Sequence, residues 1–439
     1  MRTKDFKQNK VDIVTLGCSK NVVDSEVLLT QLKANEIDAT HQSDRDDANI
    51  IVVNTCGFIE NAKQESIDTI LHYIDEKEAG NIDKLFVTGC LSHRYKEELK
   101  AEMPEVDSFF GTMELPALLQ RLEADYKKDL LGERLTTTPF HYAYLKISEG
   151  CDRPCSFCAI PQMRGGHVSK SIEQLVQEAS NLAKNGCKEL MLIAQDSTYY
   201  GIDLYKERAL GRLMQELDKV NGVDWIRLHY AYPSQFPMEV LDIITQSESI
   251  CNYLDMPLQH SSHEVLKTMR RGISGRRTRE LMDTIKGKYP EISLRTTMLV
   301  GHPGETEKEF LDLCDFIQEY KFDRLGVFTY SHEDGTHAFT LEDNIPDEEK
   351  ERRASHLMEI QEQISFDLNQ QKIGNTYDVL VDRIEDDFFV GRTEADSPEV
   401  DNEVLFTVEG DYVRIGDFVK VNIERAKEFD LYGTAQRGS

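Results

Sequence analysis

Tyr142-Ala-Tyr-Leu-Lys-Ile-Ser-Glu-Gly-Cys151-Asp-Arg-Pro-Cys155-Ser-Phe-Cys158 reads as a short apolar strand that runs directly into three cysteines. Ala143–Ile147 is the strand, and Gly150-Cys151 turns the chain, so the thiols fall on the loop at its carboxyl end. Three thiolates within eight residues can face one iron–sulfur cube. With no fourth cysteine nearby, one iron of such a cube stays open to a small chelating ligand. The alternative is a structural zinc site. Zinc usually takes four ligands in Cys-x-x-Cys pairs, and the stretch after Cys158 supplies no fourth.

Downstream of the loop, apolar runs recur at Glu189–Ile193, Trp225–His229, Tyr253–Met256, Leu294–Val300 and Leu325–Thr329, with helical segments between them. Together with the first strand they make six βα units in about 200 residues, which predicts an open, partial (β/α) barrel with its site at the strands' carboxyl ends. Gln195-Asp196, Gln259-His260 and Gly301–Glu305 fall on that face. Upstream, Val11–Leu16, Ile50–Val53 and Leu85–Thr88 read as buried parallel strands, followed by helical segments at Val22–Asn35, Glu60–Lys77 and Tyr95–Ala101. That βαβαβ pattern predicts a doubly wound parallel sheet. A cysteine follows each of its strands: Cys18, Cys56 and Cys90. Ligands bind at the carboxyl ends of such sheets, so the three can converge on one point. Any one of them alone would read as a buried small hydrophobe; placed alike in three successive units, they read as metal ligands. Cys187, Cys251 and Cys314 have no such company and are expected in the core, with Cys187 and Cys314 on or beside helices and Cys251 ahead of a strand.

Tyr126–Pro139 is polar and reads as a linker, and Asp347–Lys372 as a charged helix closed by Gly374. Beyond it, Tyr377–Ile384, Phe388–Arg392, Val404–Thr407, Phe418–Ile423 and Leu431–Ala435 predict a small antiparallel β-barrel of the oligonucleotide-binding kind. The expected fold is α/β in three domains, at about 1–125, 137–370 and 371–437. The 439 residues carry 51 Lys+Arg against 79 Asp+Glu, a net charge of −28. Such a chain repels a phosphate backbone and favours a basic protein as partner. No apolar run reaches the ~18 residues of a membrane span, and Met1–Lys10 is polar, so no membrane association and a cytoplasmic location are expected. In that reducing compartment nine cysteines point to metal or redox chemistry rather than to disulfides.

The cysteine loop, with Phe157 before its last cysteine, looks like the radical S-adenosylmethionine superfamily. Taken over nearly the whole chain, the sequence resembles the methylthiotransferase family within it. The resemblance is carried by Thr15–Asn21 with Asp24-Ser25-Glu26, Asn54–Ile59 with Ala62-Lys63, and Val87–Leu91. It continues through Gly150–Cys158 with Ile160-Pro161 and Arg164-Gly165, Pro257–His260 with Met269–Gly272, and Val300–Glu305. The last segment is similar to a TRAM domain.

This resemblance implies two 4Fe-4S clusters, one on Cys18, Cys56 and Cys90 and one on Cys151, Cys155 and Cys158, each with an open iron. It implies two S-adenosylmethionine molecules per turnover. One is the methyl donor; the other is cleaved by an electron from the second cluster to a 5′-deoxyadenosyl radical, so that a C–H bond becomes C–S–CH3. Phe157, Gly301, Pro303, Gly304 and Gln195 are candidates for contact with S-adenosylmethionine. Arg164 reads as one ion-pairing residue among many acids, and His260 as either functional or a hydrogen-bonded structural histidine. His302 stands where the family commonly has Phe, Lys170 where Arg is usual, and His263 where Asp is often found. From Gln371 to Arg437 there are 16 Asp+Glu and 8 Lys+Arg. An acidic barrel suits a basic polypeptide better than tRNA. Cys18-Ser-Lys-Asn likewise resembles the branch acting on an aspartate of ribosomal protein S-twelve, giving 3-methylthioaspartate. The partners implied are that protein or the small ribosomal subunit, an electron donor and a sulfur donor. The alternatives are the same chemistry on an isopentenylated adenosine of tRNA, and a non-catalytic iron–sulfur carrier.

Overall fold

The computed structural model describes residues 9–43, 47–130, 132–408 and 412–435; the polar start, residues 1–8, lies outside them. The chain divides into two compact units. One comprises Met1–Thr138, Tyr144–Asp152 and Ala159–Val168, the other Pro139–Ala143, Arg153–Cys158 and Ser169–Ser439.

The first unit is built on β1 (Lys10–Thr15), β2 (Asp38–His41), β3 (Ile50–Thr55), β4 (Lys84–Gly89) and β5 (Ser108–Phe109), all parallel, in the order β2-β1-β3-β4-β5. β3 is buried along its whole length, so its alternate side chains feed two cores. Ile50 and Val52 join Val11, Ile13 and Leu28, Leu29 and Leu32 of the helix Ser19–Ala34. Ile51 and Val53 join Leu85, Val87 and Ile70 and Ile74 of the helix Glu60–Glu78. The doubly wound sheet follows from that alternation. β2 and β5 were not expected, because Asp-Ala-Thr-His and Ser-Phe carry almost no apolar pattern; pairing along an existing edge makes them strands. The helix expected at Tyr95–Ala101 runs Lys96–Glu102 and is preceded by a short one, Cys90–Arg94.

The polar segment read as a linker is bound rather than loose. Arg134 pairs with Glu26 at 2.5 Å with both side chains 1% exposed. The backbone N–H groups of Thr137 and Leu135 donate to Glu26 Oε1 and Thr30 Oγ1. Its polarity is spent on the helix Ser19–Ala34.

A six-stranded sheet has the order β13-β12-β11-β10-β9-β6, with β6 (Tyr142–Lys146) at one edge. After it, β7 (Ser148–Glu149) pairs with β8 (Val168–Ser169). β9 (Glu189–Ile193), β10 (Trp225–Leu228), β11 (Ile250–Asp255), β12 (Ser293–Val300) and β13 (Arg324–Thr329) are parallel to one another. β11 starts earlier than expected, so Cys251 lies inside a strand instead of ahead of one. Cys187, Cys251 and Cys314 are all buried, as their isolation in the sequence suggested.

The helix Asp347–Gln370 leads to β14 (Thr376–Glu385), β15 (Phe388–Arg392), β16 (Glu403–Thr407), β17 (Phe418–Ala426) and β18 (Asp430–Ala435), which form a closed barrel. Val379, Val381, Val404, Phe406, Val421, Ile423 and Leu431 fill it. Four of its pairings are antiparallel, and β16–β18 is parallel. Hydrophobic alternation reports which face a residue takes and not which way its neighbour runs, so the parallel closure had no signal. Among the described residues no helix is long and apolar enough to cross a membrane.

Candidate functional site

In the first unit, strand order sets the site. The order β2-β1-β3-β4-β5 reverses between β1 and β3, and that is where doubly wound sheets bind their ligands. Cys18 is the N-cap of the helix after β1, Cys56 directly follows β3, and Cys90 opens the short helix after β4. Their loops are drawn together by glycine. Gly17 has φ +87°, and a Cβ there would lie 2.6 Å from Cys56 Cβ and 2.8 Å from Cys56 Sγ. A Cβ on Gly89, at φ +101°, would lie 2.4 Å from the Thr55 carbonyl oxygen. Asn21 ties the strand ends, its Nδ2 donating to the carbonyls of Leu16 (2.7 Å) and Thr55 (3.0 Å).

The thiols lie close enough to oppose one another's ionisation. Burial pushes the Cys90 thiol up to about 12, with Cys18 and Cys56 adding to the rise and the Arg164 guanidinium opposing it. Cys56 is raised chiefly by burial and in part by Cys18. Cys90 Sγ lies 3.8 Å from Asn21 Oδ1, which also accepts from Arg164 Nη2 at 2.5 Å.

In the second unit, Cys155 and Cys158 lie on a loop gripped by the carboxyl ends of the strands. Past β9, Asp196 accepts from Arg153 Nε at 2.6 Å, and the Arg153 guanidinium lies over the rings of Tyr199 and Tyr232. Past β10, the Tyr232 hydroxyl is 3.6 Å from Cys155 Sγ. Beyond β11, Arg271 Nη1 is 3.4 Å from the same sulfur, and the Met269 carbonyl accepts from the Ser156 N–H at 2.8 Å. Past β12, His302 Nε2 is 3.3 Å from Ser156 Oγ, and its ring meets Phe157 edge-on. Phe157 packs on Val265, Met269, Leu299, Tyr330 and Ala338. Cys151 is in the first unit, its N–H donating to the Gly165 carbonyl at 3.1 Å.

The remaining candidates divide by their surroundings. Gln195 is half-buried two residues past the end of β9, beside Asp196. A Cβ on Gly301, at φ +79°, would lie 2.3 Å from Lys350 Cγ, so close packing against the helix Asp347–Gln370 already demands glycine there. Gly304, at φ +90°, has open space beside it. The Pro303 carbonyl lies 3.1 Å from His302 Nδ1. Burial pushes the Glu305 carboxyl up to about 7 against the pull of Arg353. His260 Nδ1 accepts from the N–H groups of Ser261 and Ser262, and burial holds its pKa near 3. It is a neutral turn histidine. Arg153, Tyr199, Tyr232 and Arg271 were not anticipated. The two arginines lie inside quoted motifs, whereas the tyrosines had no signal beyond lying past strand ends.

These surroundings fit iron–sulfur clusters. Thiols are presented from strand ends, and guanidinium groups are aimed at the sulfurs of Cys90 and Cys155. Among the described residues no three His, Cys, Asp or Glu side chains are grouped to hold a single metal ion.

Residues 10–111 match the model described as Uncharacterized protein family UPF0004, residues 145–317 the Radical SAM superfamily and residues 373–435 the TRAM domain. The ribosomal protein uS12 methylthiotransferase RimO of Cytophaga hutchinsonii is 62% identical over 433 residues, which are 99% of this chain and 99% of that one. The chain belongs to the RimO family. RimO proteins of Christiangramia forsetii (58% identical, 99% of this chain and 96% of that one) and Flavobacterium johnsoniae (59%, 99% of each) are similarly close. Membership of the RimO family, with its radical S-adenosylmethionine domain, implies 4Fe-4S clusters and S-adenosylmethionine as cofactors. Among solved structures, the radical S-adenosylmethionine methyltransferase TsrM from Kitasatospora setae superposes with a TM-score of 0.55 at 14% identity, over 73% of this chain and 75% of that one. At that identity the likeness is one of fold.

Proposed function

We propose that the chain is a radical S-adenosylmethionine methylthiotransferase that converts an aspartate of ribosomal protein uS12 to 3-methylthioaspartate. The observation that carries this reading is the near-complete coverage of proteins of that name at 58–62% identity. The placement of two cysteine trios at strand ends supports it. In this reading Cys18, Cys56 and Cys90 hold one 4Fe-4S cluster, and Cys151, Cys155 and Cys158 hold the other. When bound, the clusters and S-adenosylmethionine supply hydrogen abstraction and the methylthio group.

The protein's own part is positioning. Arg271 directs an N–H at Cys155 Sγ. Tyr232, whose hydroxyl lies against the same sulfur, donates to the Arg271 carbonyl at 2.5 Å and so holds that arginine's backbone in place, and Arg153, held by Asp196, stiffens the loop between Cys151 and Cys155. Phe157 on its apolar bed and His302 on Ser156 fix the far side. Gln195, Gly301, Pro303 and Gly304 complete the candidate wall for S-adenosylmethionine. The three-domain division at about 1–125, 137–370 and 371–437, a cytoplasmic location, and an electron donor and a sulfur donor as further partners belong to the same reading. The acidic terminal barrel argues against tRNA as substrate.

Anaerobically reconstituted protein, given dithionite, S-adenosylmethionine and sulfide, should add a methylthio mass to uS12 and form 5′-deoxyadenosine. A methylthio mass on tRNA alone overturns the substrate. Absence of 5′-deoxyadenosine from reduced protein holding about eight irons leaves a carrier instead.

A further inference from the structure

Arg164 arrives from the segment Ala159–Val168, which is part of the first unit. It ends a short helix whose Ala159, Ile160 and Met163 pack against Cys90. Its side chain is 2% exposed. Nη1 donates to Asp24 Oδ2 at 2.9 Å and to Glu149 Oε1 at 3.0 Å, while Nη2 donates to Asn21 Oδ1 at 2.5 Å. Asn21 Oδ1 is also the neighbour of Cys90 Sγ.

Lys146 shares the same two carboxylates, donating to Asp24 and, at 2.6 Å, to Glu149. Two carboxylates and two cations balance before any thiol ionises. The planar guanidinium can serve carboxylates on one edge while turning its other edge to a different group, which an ammonium cannot do. Here that other edge faces Asn21 and the cysteines. A cluster held by three thiolates gathers more negative charge with each electron or anionic ligand it takes up. In a buried site such charge is costly unless a fixed cation faces it.

We propose that Arg164 is a positioning residue for the cluster on Cys18, Cys56 and Cys90. Its guanidinium, oriented by Asp24 and Glu149, offsets the negative charge of the thiolates and of a small anionic sulfur ligand, hydrosulfide or an alkanethiolate, on the open iron. This rests on the reading that these cysteines hold a cluster.

The test uses the full-length chain with Cys151, Cys155 and Cys158 replaced by Ala, so that only the first cluster is present, carrying Arg164, Arg164→Lys or Arg164→Gln. Each is reconstituted anaerobically. Iron content, midpoint potential by electron paramagnetic resonance titration, and affinity for methanethiolate as probe are then measured. All three should hold about four irons. Arg164→Gln should shift the potential to more negative values and weaken methanethiolate binding about tenfold, the size of a lost charge-assisted contact, with Lys restoring part of both. A Gln variant with four irons and the parent's potential and affinity overturns the proposal. If Gln loses its cluster, the Lys variant decides. Retention with the parent's potential supports the proposal, and loss in both overturns it. A parent chain that takes up no iron refutes the cluster assignment itself, whereas an iron-loaded but insensitive series refutes only the role of Arg164.

Discussion

At Gly17 one methyl group decides whether two loops can meet. The residue combines a left-handed φ of +87° with a space already taken by the Cys56 side chain. Alanine there must strain the backbone and push the Cys56 thiol away from Cys18. The expected outcome for Gly17→Ala is a drop from about eight to about four irons per chain, with methylthio transfer lost and 5′-deoxyadenosine formation retained. Iron analysis and product chromatography check it, and full iron loading contradicts it. The cysteines themselves were legible in the sequence because each trio has a local signature: tight spacing in one case, recurrence after successive strands in the other. Arg164, Arg271 and Tyr232 were not assignable, since a charged or aromatic residue shows its partner only after remote strands are brought together.

Among the elements, the connection Thr393–Asn402 between β15 and β16 stands out. It is packed with buried charge although it belongs to no strand or helix. Asp396 pairs with Arg324 at the start of β13, and Asp401 accepts from Arg295 of β12 (3.2 Å) and from the Tyr253 hydroxyl of β11 (2.8 Å). Ser397 Oγ lies 3.0 Å from His229 Nε2, just past β10. Arg392 and Arg227 share Glu189 at the start of β9, each at 2.7 Å. The loop thus reaches β10, β11, β12 and β13, and Arg392 at the end of β15 reaches β9, so the connection within the terminal barrel ties five neighbouring strands of the (β/α) sheet together. Removing one partner leaves a buried charge unpaired. Asp396→Ala should cost about 3–5 kcal/mol in urea unfolding, and adding Arg324→Met should recover much of it. A loss under about 1 kcal/mol would mean that the pair is solvated.

For the molecule as a whole, the excess of acids governs encounter. The tip of the β14–β15 hairpin, Glu385, Asp386 and Asp387, is exposed, whereas Arg392 of the same barrel is buried in ion pairs. Of the tip acids Glu385 pairs with the half-exposed Arg383, and among the exposed residues there the acids outnumber the bases. A basic protein substrate should be drawn in by that field, and salt should screen it. kcat/KM for uS12 is expected to fall as ionic strength rises. Replacing Glu385, Asp386 and Asp387 together by Lys should lower it on the order of tenfold while leaving cluster content unchanged. Equal kcat/KM for the parent and the triple variant at low salt would remove the barrel from substrate capture.

The sequence by itself determined the α/β class, the small terminal barrel and the family resemblance, and it marked the two cysteine trios as candidates, because periodicity, turn residues and ligand spacing are properties of short segments. Only the tertiary structure decided that Tyr126–Pro139 is anchored and that β18 runs parallel to β16. It also decided that Gly301 packs against Lys350, and that Arg164 turns toward the first cysteine trio and Arg271 toward Cys155. Each of those depends on contacts between residues far apart in the chain. Burial is what makes such contacts matter, since a charge or a Cβ that is indifferent in water becomes decisive once its neighbours are fixed.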